Sequence, residues 1–440
     1  MLKNMKYKIP VYNEKDKIQI GGFCAPSVRL SGDARRPAQA AFNDAKELGL
    51  DFLIPDHFQC DFGDAPEDAF VYLNRAYDAG LKVYPYDTGL GCRTSAGHKL
   101  RAAAWDTTWA KRYVEHPAFA GLHFFDEPFG QEVEIVAAKQ KKWREEFGGK
   151  DFLVNLNPGY APGDLLGYVD KEKTIKADFR YYVENYIELA HPDILSFDHY
   201  ALYENGGLRH SYFAETALMG FAAKKGKYKS HFYILSTGHG PYRRIPTVSE
   251  LRWQIAVGMT FGLKSFTHYT AGAIYDGYDD IISPSLQRTE LWYNIQTVNR
   301  EVNMWSHIYK SFYYEGFLII HGNHGRPNEM LDLIDKRDGY ISQDQIDTLT
   351  HIDSSEDVIA GIFVDAAENK GIMLTNANNP NIRSQNPFDR KNAFVTLVFT
   401  DDYVVQVYEK GVASFIKTVD KKVTIELESG EGKFLVIAKQ

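Results

Sequence analysis

Eight times between residue 18 and about residue 310, a short apolar run gives way to a longer segment whose apolar residues recur at helical spacing. The runs are QIGGFCAP, LDFLIPDHF, LKVYPYDTG, AGLHFFDEP, KDFLVNLNPG, DILSFDHYAL, SHFYILSTGHG and KSFTHYTAG. Between them lie segments such as RRPAQAAFNDAKELG, where Phe42, Ala45 and Leu48 share a face, and SELRWQIAVGMTFG, with Leu251, Ile255 and Met259. Alternation of this kind indicates a parallel sheet, because parallel neighbours must be joined by a crossover. Eight units within about 290 residues predict an α/β fold, a (β/α)8 TIM barrel, ahead of an open doubly wound sheet, and no G-x-G-x-x-G follows the first run. Local punctuation agrees: Pro37 early in the first helix, Gly49 and Gly80 after the first and second, and Thr247 before the seventh with Glu250 three residues on, a capping box.

After about residue 311 the period changes from helical to two. EGFLIIHG, DVIAGIFVDA, KGIMLTNAN, AFVTLVFTD, DYVVQVYEK, ASFIKTVD, KVTIELES and GKFLVIAKQ alternate apolar and polar residues between turn signals, which predicts a C-terminal antiparallel β-sandwich domain. The expected division is a barrel over residues 1–310 and a β-sandwich over 311–440, with the polar stretch 323–348 an irregular insertion.

Fifty Lys and Arg stand against 58 Asp and Glu, a net charge of −8 with no basic run, so neither nucleic acid nor an anionic membrane is an expected partner. No stretch approaches the roughly 18 apolar residues of a membrane span, and the first residues lack the apolar core of a signal peptide. As it stands the chain reads as cytoplasmic; removal of a leader would make it periplasmic or secreted. Cys24, Cys60 and Cys92 are an odd number without metal-finger spacing and read as reduced thiols. His57, His199, His239 and His268 are scattered over four strands with no ligand motif, so no metal or other cofactor is expected. The oligomeric state stays open.

Reacting groups of a (β/α)8 barrel sit at the C-terminal ends of its strands. Here those ends offer Asp56 and His57, Asp87, Asp126 and Glu127, Asn157, Asp198 with His199 and Tyr200, His239, and His268 with Tyr269. Such a ring of carboxylates, imidazoles and phenols suits the binding of sugar hydroxyls and the movement of protons. In HFFDEP (123–128) two phenylalanines lead straight into Asp126 and Glu127. A carboxyl beside aromatic rings keeps its proton more easily, so Glu127 is the candidate general acid.

With these residues the chain resembles the clan A glycoside hydrolases, whose barrel carries an acid/base Glu at the end of strand four; Asp126 stands where that family commonly has Asn. SFDHY (196–200) is similar to the strand-six segment of barrel galactosidase-type enzymes. ELRWQIAVGMTFGLKSFTHY (250–269) and ISPSLQRTELWYNIQTVNRE (282–301) are similar to segments of barrel hydrolases from carbohydrate-degrading bacteria, whose barrel is often followed by a β-sandwich. The resemblance implies hydrolysis of an oligosaccharide or glycoside, with a carbohydrate as partner. The clan's nucleophile, a Glu ending strand seven, is missing: ILSTGHG (234–240) has Thr237 and no carboxylate. Asp198 is the leading replacement. Strands four and six end about 9 Å apart at ~4.8 Å per strand, which fits an inverting pair with Glu127 as acid and Asp198 as base. The layout of the clan D α-galactosidases is a second arrangement, in which Asp126 or Glu127 is nucleophile and Asp198 the acid. Asp276, Asp279 and Asp280 are a further source of carboxylates. A non-hydrolytic carbohydrate-binding barrel that has lost catalysis is the alternative function.

Overall fold

The computed structural model describes residues 15–30, 36–55, 62, 66–92, 100, 102–169, 175–176, 178–272, 279–384, 386–387 and 389–439. Eight parallel strands form one sheet: β1 (Gln19–Phe23), β2 (Phe52–Ile54), β3 (Lys82–Val83), β4 (Gly121–Asp126), β5 (Asp151–Leu156), β6 (Ile194–Asp198), β7 (Lys229–Leu235) and β8 (Ser265–Tyr269), in spatial order 3-2-1-8-7-6-5-4. The sheet closes on itself between its two edges: Val83 bridges Phe119 in parallel, and Val83 N donates to Ala118 O at 2.8 Å while His123 N donates to Pro85 O at 2.9 Å. Every edge is thereby paired and the fold is a (β/α)8 barrel.

The crossover helices are α1 (Gln39–Glu47), α2 (Pro66–Asp78), α3 (Ala110–Tyr113), α4 (Val133–Phe147), α5 (Phe179–Ala190), α6 (Tyr212–Gly226), α7 (Val248–Thr260) and α8 (Glu290–Lys310). Thr247 and Glu250 form the expected capping box: Thr247 Oγ1 accepts from Glu250 N and Glu250 accepts from Thr247 N. Gly49 and Gly80 end α1 and α2 with φ of 95° and 70°. The third helix is a single turn. No described helix is long and apolar enough to cross a membrane, and Cys24 and Cys92 are buried and not disulfide-bonded.

The C-terminal strands are β9 (Phe312–Ile320), β10 (Leu349–Ser354), β11 (Val358–Asp365), β12 (Lys370–Asn376), β13 (Ala393–Phe399), β14 (Tyr403–Glu409), β15 (Val412–Lys417), β16 (Lys422–Leu427) and β17 (Gly432–Lys439). They form a six-stranded antiparallel sheet, order 9-11-12-17-14-15, facing a three-stranded one, order 10-13-16. Their inner faces share a core that includes Leu318, Val358, Leu374, Val395, Val405 and Ile425. The outer face of the larger sheet packs on the barrel: Trp305 of α8 stacks on Phe434 at 6.1 Å and 8°, and Tyr309 meets Phe363 edge-on at 5.2 Å. Gly361 permits this approach, since a Cβ there would lie 2.1 Å from Thr260 O at the end of α7.

Candidate active site

A one-residue irregularity in β4 aims the carboxylates. His123 lies opposite Leu153, but Phe125 lies opposite Val154, so Phe124 is the extra residue of a bulge and Asp126 comes opposite Asn155. Because strand side chains alternate faces, one inserted residue reverses everything after it. Phe124 spends the extra position stacked on Phe152 at 4.6 Å, and Asp126 turns into the barrel. Glu127 follows with φ of 52°, a left-handed conformation uncommon outside glycine. Its neighbours hold it there: Glu127 N donates to Asn155 O at 2.8 Å, while Pro128 O accepts from Asn157 Nδ2 at 3.0 Å and Tyr182 OH at 2.6 Å. Strain of this kind persists only where the surroundings impose it, and it gathers at functional sites.

Asn155 joins the two sides of the mouth. Its Nδ2 donates to Asp126 Oδ1 at 3.2 Å and to Asp198 Oδ1 at 2.9 Å, and its Oδ1 accepts from Ser196 Oγ at 3.0 Å. The serine hydroxyl can donate or accept and so adapts to either face of the amide; it is the carboxyl oxygens of Asp126 and Asp198 on the other side that call for the N–H donors there. Two oxygens on one nitrogen at 3.2 and 2.9 Å lie no more than about 6 Å apart, against the roughly 6.5–9.5 Å of an inverting pair and the roughly 5–5.5 Å of a retaining one. The expected separation of about 9 Å is that of the ends of strands four and six; between those ends Asn155, from the intervening strand, holds one oxygen of Asp126 and one of Asp198 near each other.

Asp198 is 2% exposed. Burial, then the charge of Glu127, then that of Asp126 push its carboxyl well above the usual range, against the hydrogen bond from Asn155. Asp198 is thus the carboxyl its surroundings favour with a proton. Tyr233 of β7 donates to or accepts from His123 Nε2 at 3.0 Å, and burial together with the charges of Asp126 and Asp198 keeps its phenol protonated. Tyr200 and Tyr269, both half-buried, stack on one another at 4.8 Å, with Phe23 against Tyr269 at 5.7 Å. Aromatic faces of this kind are the platforms on which sugar rings pack.

The remaining expected site residues divide. Tyr160 OH accepts from Tyr200 N at 3.3 Å, and its ring meets His199 edge-on at 5.1 Å. His199 is buried, with Nε2 at 3.2 Å from Ser211 Oγ and 3.5 Å from Glu215 Oε2, so it braces the mouth from behind. Asn157 acts likewise through Pro128 O. His239 stands at the rim, half-buried, in a cleft of about 620 Å³ that opens beside Tyr160. Two expectations are corrected. Asp87 is buried and occupied as the cap of a turn, accepting from Gly89 N at 2.8 Å and from Tyr113 OH. His268 is fully buried on the outer face of β8, with Nδ1 at 2.6 Å from Ser236 Oγ and Nε2 at 2.7 Å from Asn299 Oδ1, and burial lowers its pKa to about 4. Neither is free to meet a substrate. Asp56, His57 and Asp276 lie outside the described residues. Asp280 is bound to Arg29 at 2.7 Å, and Thr237 donates to the main-chain oxygen of Asp279 at 2.6 Å. Thr237 itself brings no carboxylate to the end of β7, but the exposed Asp279 sets a carboxylate oxygen against Gly238, 2.1 Å from where a Cβ there would lie.

Asn155, Tyr160 and Tyr233 escaped the sequence reading. A polar residue inside the apolar run DFLVNL was the signal for Asn155, since an amide there must find partners. Replacing Asn155 with Ala frees both carboxylates, and a misplacement of that order costs roughly 10²-fold in kcat on any substrate the wild type turns over. KM and the melting temperature should change much less.

No family model matches the sequence, and no curated protein does. Among solved structures, the α-amylase of Geobacillus thermoleovorans in complex with acarbose is similar with a TM-score of 0.53 at 9% identity, covering 97% of this chain and 99% of that one. A putative α-galactosidase/melibiase of Bacteroides fragilis has a TM-score of 0.53 at 11% identity over 96% of this chain and 79% of that one. A β-L-arabinopyranosidase of Geobacillus stearothermophilus has a TM-score of 0.51 at 10% identity over 97% of each. At such identities the likeness is one of fold: these proteins and this chain share a (β/α)8 barrel with a C-terminal antiparallel β-domain.

Proposed function

We propose that this chain is a retaining glycoside hydrolase, with Asp126 as nucleophile and Asp198 as acid/base, in a two-domain arrangement of barrel (1–310) and β-sandwich (311–440). The observation that supports this reading is the single amide nitrogen of Asn155 bonded to one oxygen of each carboxyl group, which keeps those two oxygens no more than about 6 Å apart at the barrel mouth. The solved structures of the same fold are named for enzymes or complexes of carbohydrate chemistry, which supports the substrate class. In the first step the Asp198 proton passes to the glycosidic oxygen as its bond to the anomeric carbon breaks, and the Asp126 carboxylate bonds to that carbon. In the second, Asp198 takes a proton from water, the resulting hydroxyl bonds to the anomeric carbon, and Asp126 leaves as carboxylate. Glu127 exchanges the acid's role expected of it for an electrostatic one: its charge keeps Asp198 protonated.

That role has a pH signature. Activity requires protonated Asp198, so the alkaline limb of the pH profile of kcat/KM reports its pKa. Glu127→Gln removes a negative neighbour, lowers that pKa, and should move the limb to lower pH by about one unit while leaving the rate at pH 5 closer to wild type. An unmoved limb contradicts the assignment. The function itself is tested with a panel of nitrophenyl glycosides and natural oligosaccharides; cleavage is expected, and saturable sugar binding without cleavage of any member favours the non-hydrolytic barrel.

A further inference from the structure

Beside the carboxylates the cleft of about 620 Å³ is lined by Tyr160, Tyr203, Arg209, His239, Tyr242 and Arg243. Tyr160 is its shared wall with the mouth. The Arg209 guanidinium lies 3.7 Å from the centre of the Tyr160 ring and 5.0 Å from that of Tyr203; Arg243 lies 5.9 and 5.4 Å from the same two rings. Two cations thus lie near one pair of aromatic rings. Among the described residues neither has a carboxylate partner. Arg209 Nε is buried with no hydrogen-bond partner, and Arg243 Nη1 donates only to the carbonyl of its neighbour Tyr242, at 3.4 Å. The acid of the cleft, Glu204, is exposed and leans towards Arg383 at 3.8 Å.

Both arginines stand on fixed backbone. Arg209 N donates to Ala201 O at 2.8 Å, and His239 and Arg243 pair across a tight bridge, with His239 N to Arg243 O at 2.9 Å. A guanidinium stacked on a ring keeps its N–H donors in its own plane, directed away from the ring, where they match the paired oxygens of a carboxylate or sulfate. Both guanidinium groups lie within 6 Å of the same two ring centres and neither has a carboxylate partner among the described residues, so an anion bound at this wall gains the attraction of both.

We propose that the sugar bound at this mouth carries an anionic group, a carboxylate or a sulfate ester, seated between Arg209 and Arg243. This inference rests on the hydrolase reading of the same mouth and names its substrate class as an acidic glycan.

Calorimetric titration tests it with uronate-containing disaccharides, their methyl esters, the matching neutral hexose disaccharides and 6-O-sulfated hexose disaccharides, on wild type and on the Asp198→Asn variant to prevent turnover. Anionic members should bind at least about tenfold more tightly than neutral ones, and the advantage should shrink as salt rises towards ~0.5 M. It should vanish in Arg209→Met and Arg243→Met, while Arg→Lys at either position keeps part of it. Preference confined to uronates or to sulfated sugars identifies which anion the site takes, and either supports the proposal. Equal binding of neutral and anionic members, no binding of any anionic member, or an anionic preference that survives both replacements overturns it. The salt dependence of the wild type needs no variant and so stands even where a replacement unfolds. Cleavage of neutral glycosides without anionic preference removes this inference and leaves the hydrolase standing; arginine-dependent anion binding with no cleavage of any panel member does the reverse.

Discussion

Asp198→Asn should lose roughly 10²–10⁴-fold in kcat/KM on natural glycosides but far less on dinitrophenyl glycosides, whose leaving group needs no proton. Asn is nearly isosteric and its amide oxygen can keep the hydrogen bond from Asn155 Nδ2, now 2.9 Å from Asp198 Oδ1, so the fold should survive. Asp126→Gly should instead lose about 10⁴-fold or more on both kinds of substrate, because the covalent step itself is gone. Azide should restore turnover of activated substrates by Asp126→Gly, giving a glycosyl azide of inverted configuration, and should give Asp198→Asn an azide product of retained configuration. The contrast follows from where the two groups sit: Asp126 is partly exposed at the mouth, and Asp198 is buried against it with its carboxyl pushed up. Equal losses for Asp198→Asn on good and poor leaving groups would remove the acid/base assignment.

Glu250→Gln should destabilise the protein by about 3–5 kcal/mol, because it leaves a buried guanidinium without its counter-charge. The side chains of Arg244 and Glu250 are 2% and 1% exposed, and Arg244 Nε donates to Glu250 Oε1 at 2.8 Å. Glu250 Oε2 at the same time accepts from Thr247 N at 2.8 Å, closing the cap of α7. Arg244 also donates to the carbonyls of Tyr203 and Gly207, so the pair clamps the loop that carries Tyr203 and leads to Arg209. Thr247→Ala, which removes only the hydroxyl of the cap, should cost about 1 kcal/mol. Replacing Arg244 and Glu250 together with Leu should recover much of the loss, since a buried ion pair is far more costly to break than to omit. Urea unfolding measures all three; a loss under about 1 kcal/mol for Glu250→Gln contradicts the clamp.

The barrel was legible because the strands are short apolar runs and several helices carry a stop or cap in the sequence, as Gly49, Gly80 and the Thr247–Glu250 box show. Strand β10 was not. LTHIDS has only Leu349, Ile352 and Ser354 buried, a spacing that follows no simple alternation because the pairing shifts between Leu349 and His351. At the mouth, Asp126 and Asp198 were visible as strand-end carboxylates, but their roles depend on a bulge of one residue and on an asparagine from the strand between them. Neither is a property of a local motif. His268 was misplaced for a simpler reason: nearness to a strand end says nothing of which face a residue takes. It shares the parity of Phe266, which packs in the core outside the strand ring, and not that of Thr267, which meets His231 Nε2 at 3.0 Å. Arg209 and Arg243 lie in loops, where side chains have no period to betray them, and only the folded chain brings both to Tyr160.

The configuration of the first-formed sugar, followed by NMR during early hydrolysis of the first glycoside found to be cleaved, tests the pairing of Asp126 with Asp198 most directly. Two carboxyl groups, each bonded through one oxygen to the same Asn155 nitrogen, predict the anomer of the substrate. The opposite anomer, appearing first and then mutarotating, would contradict it.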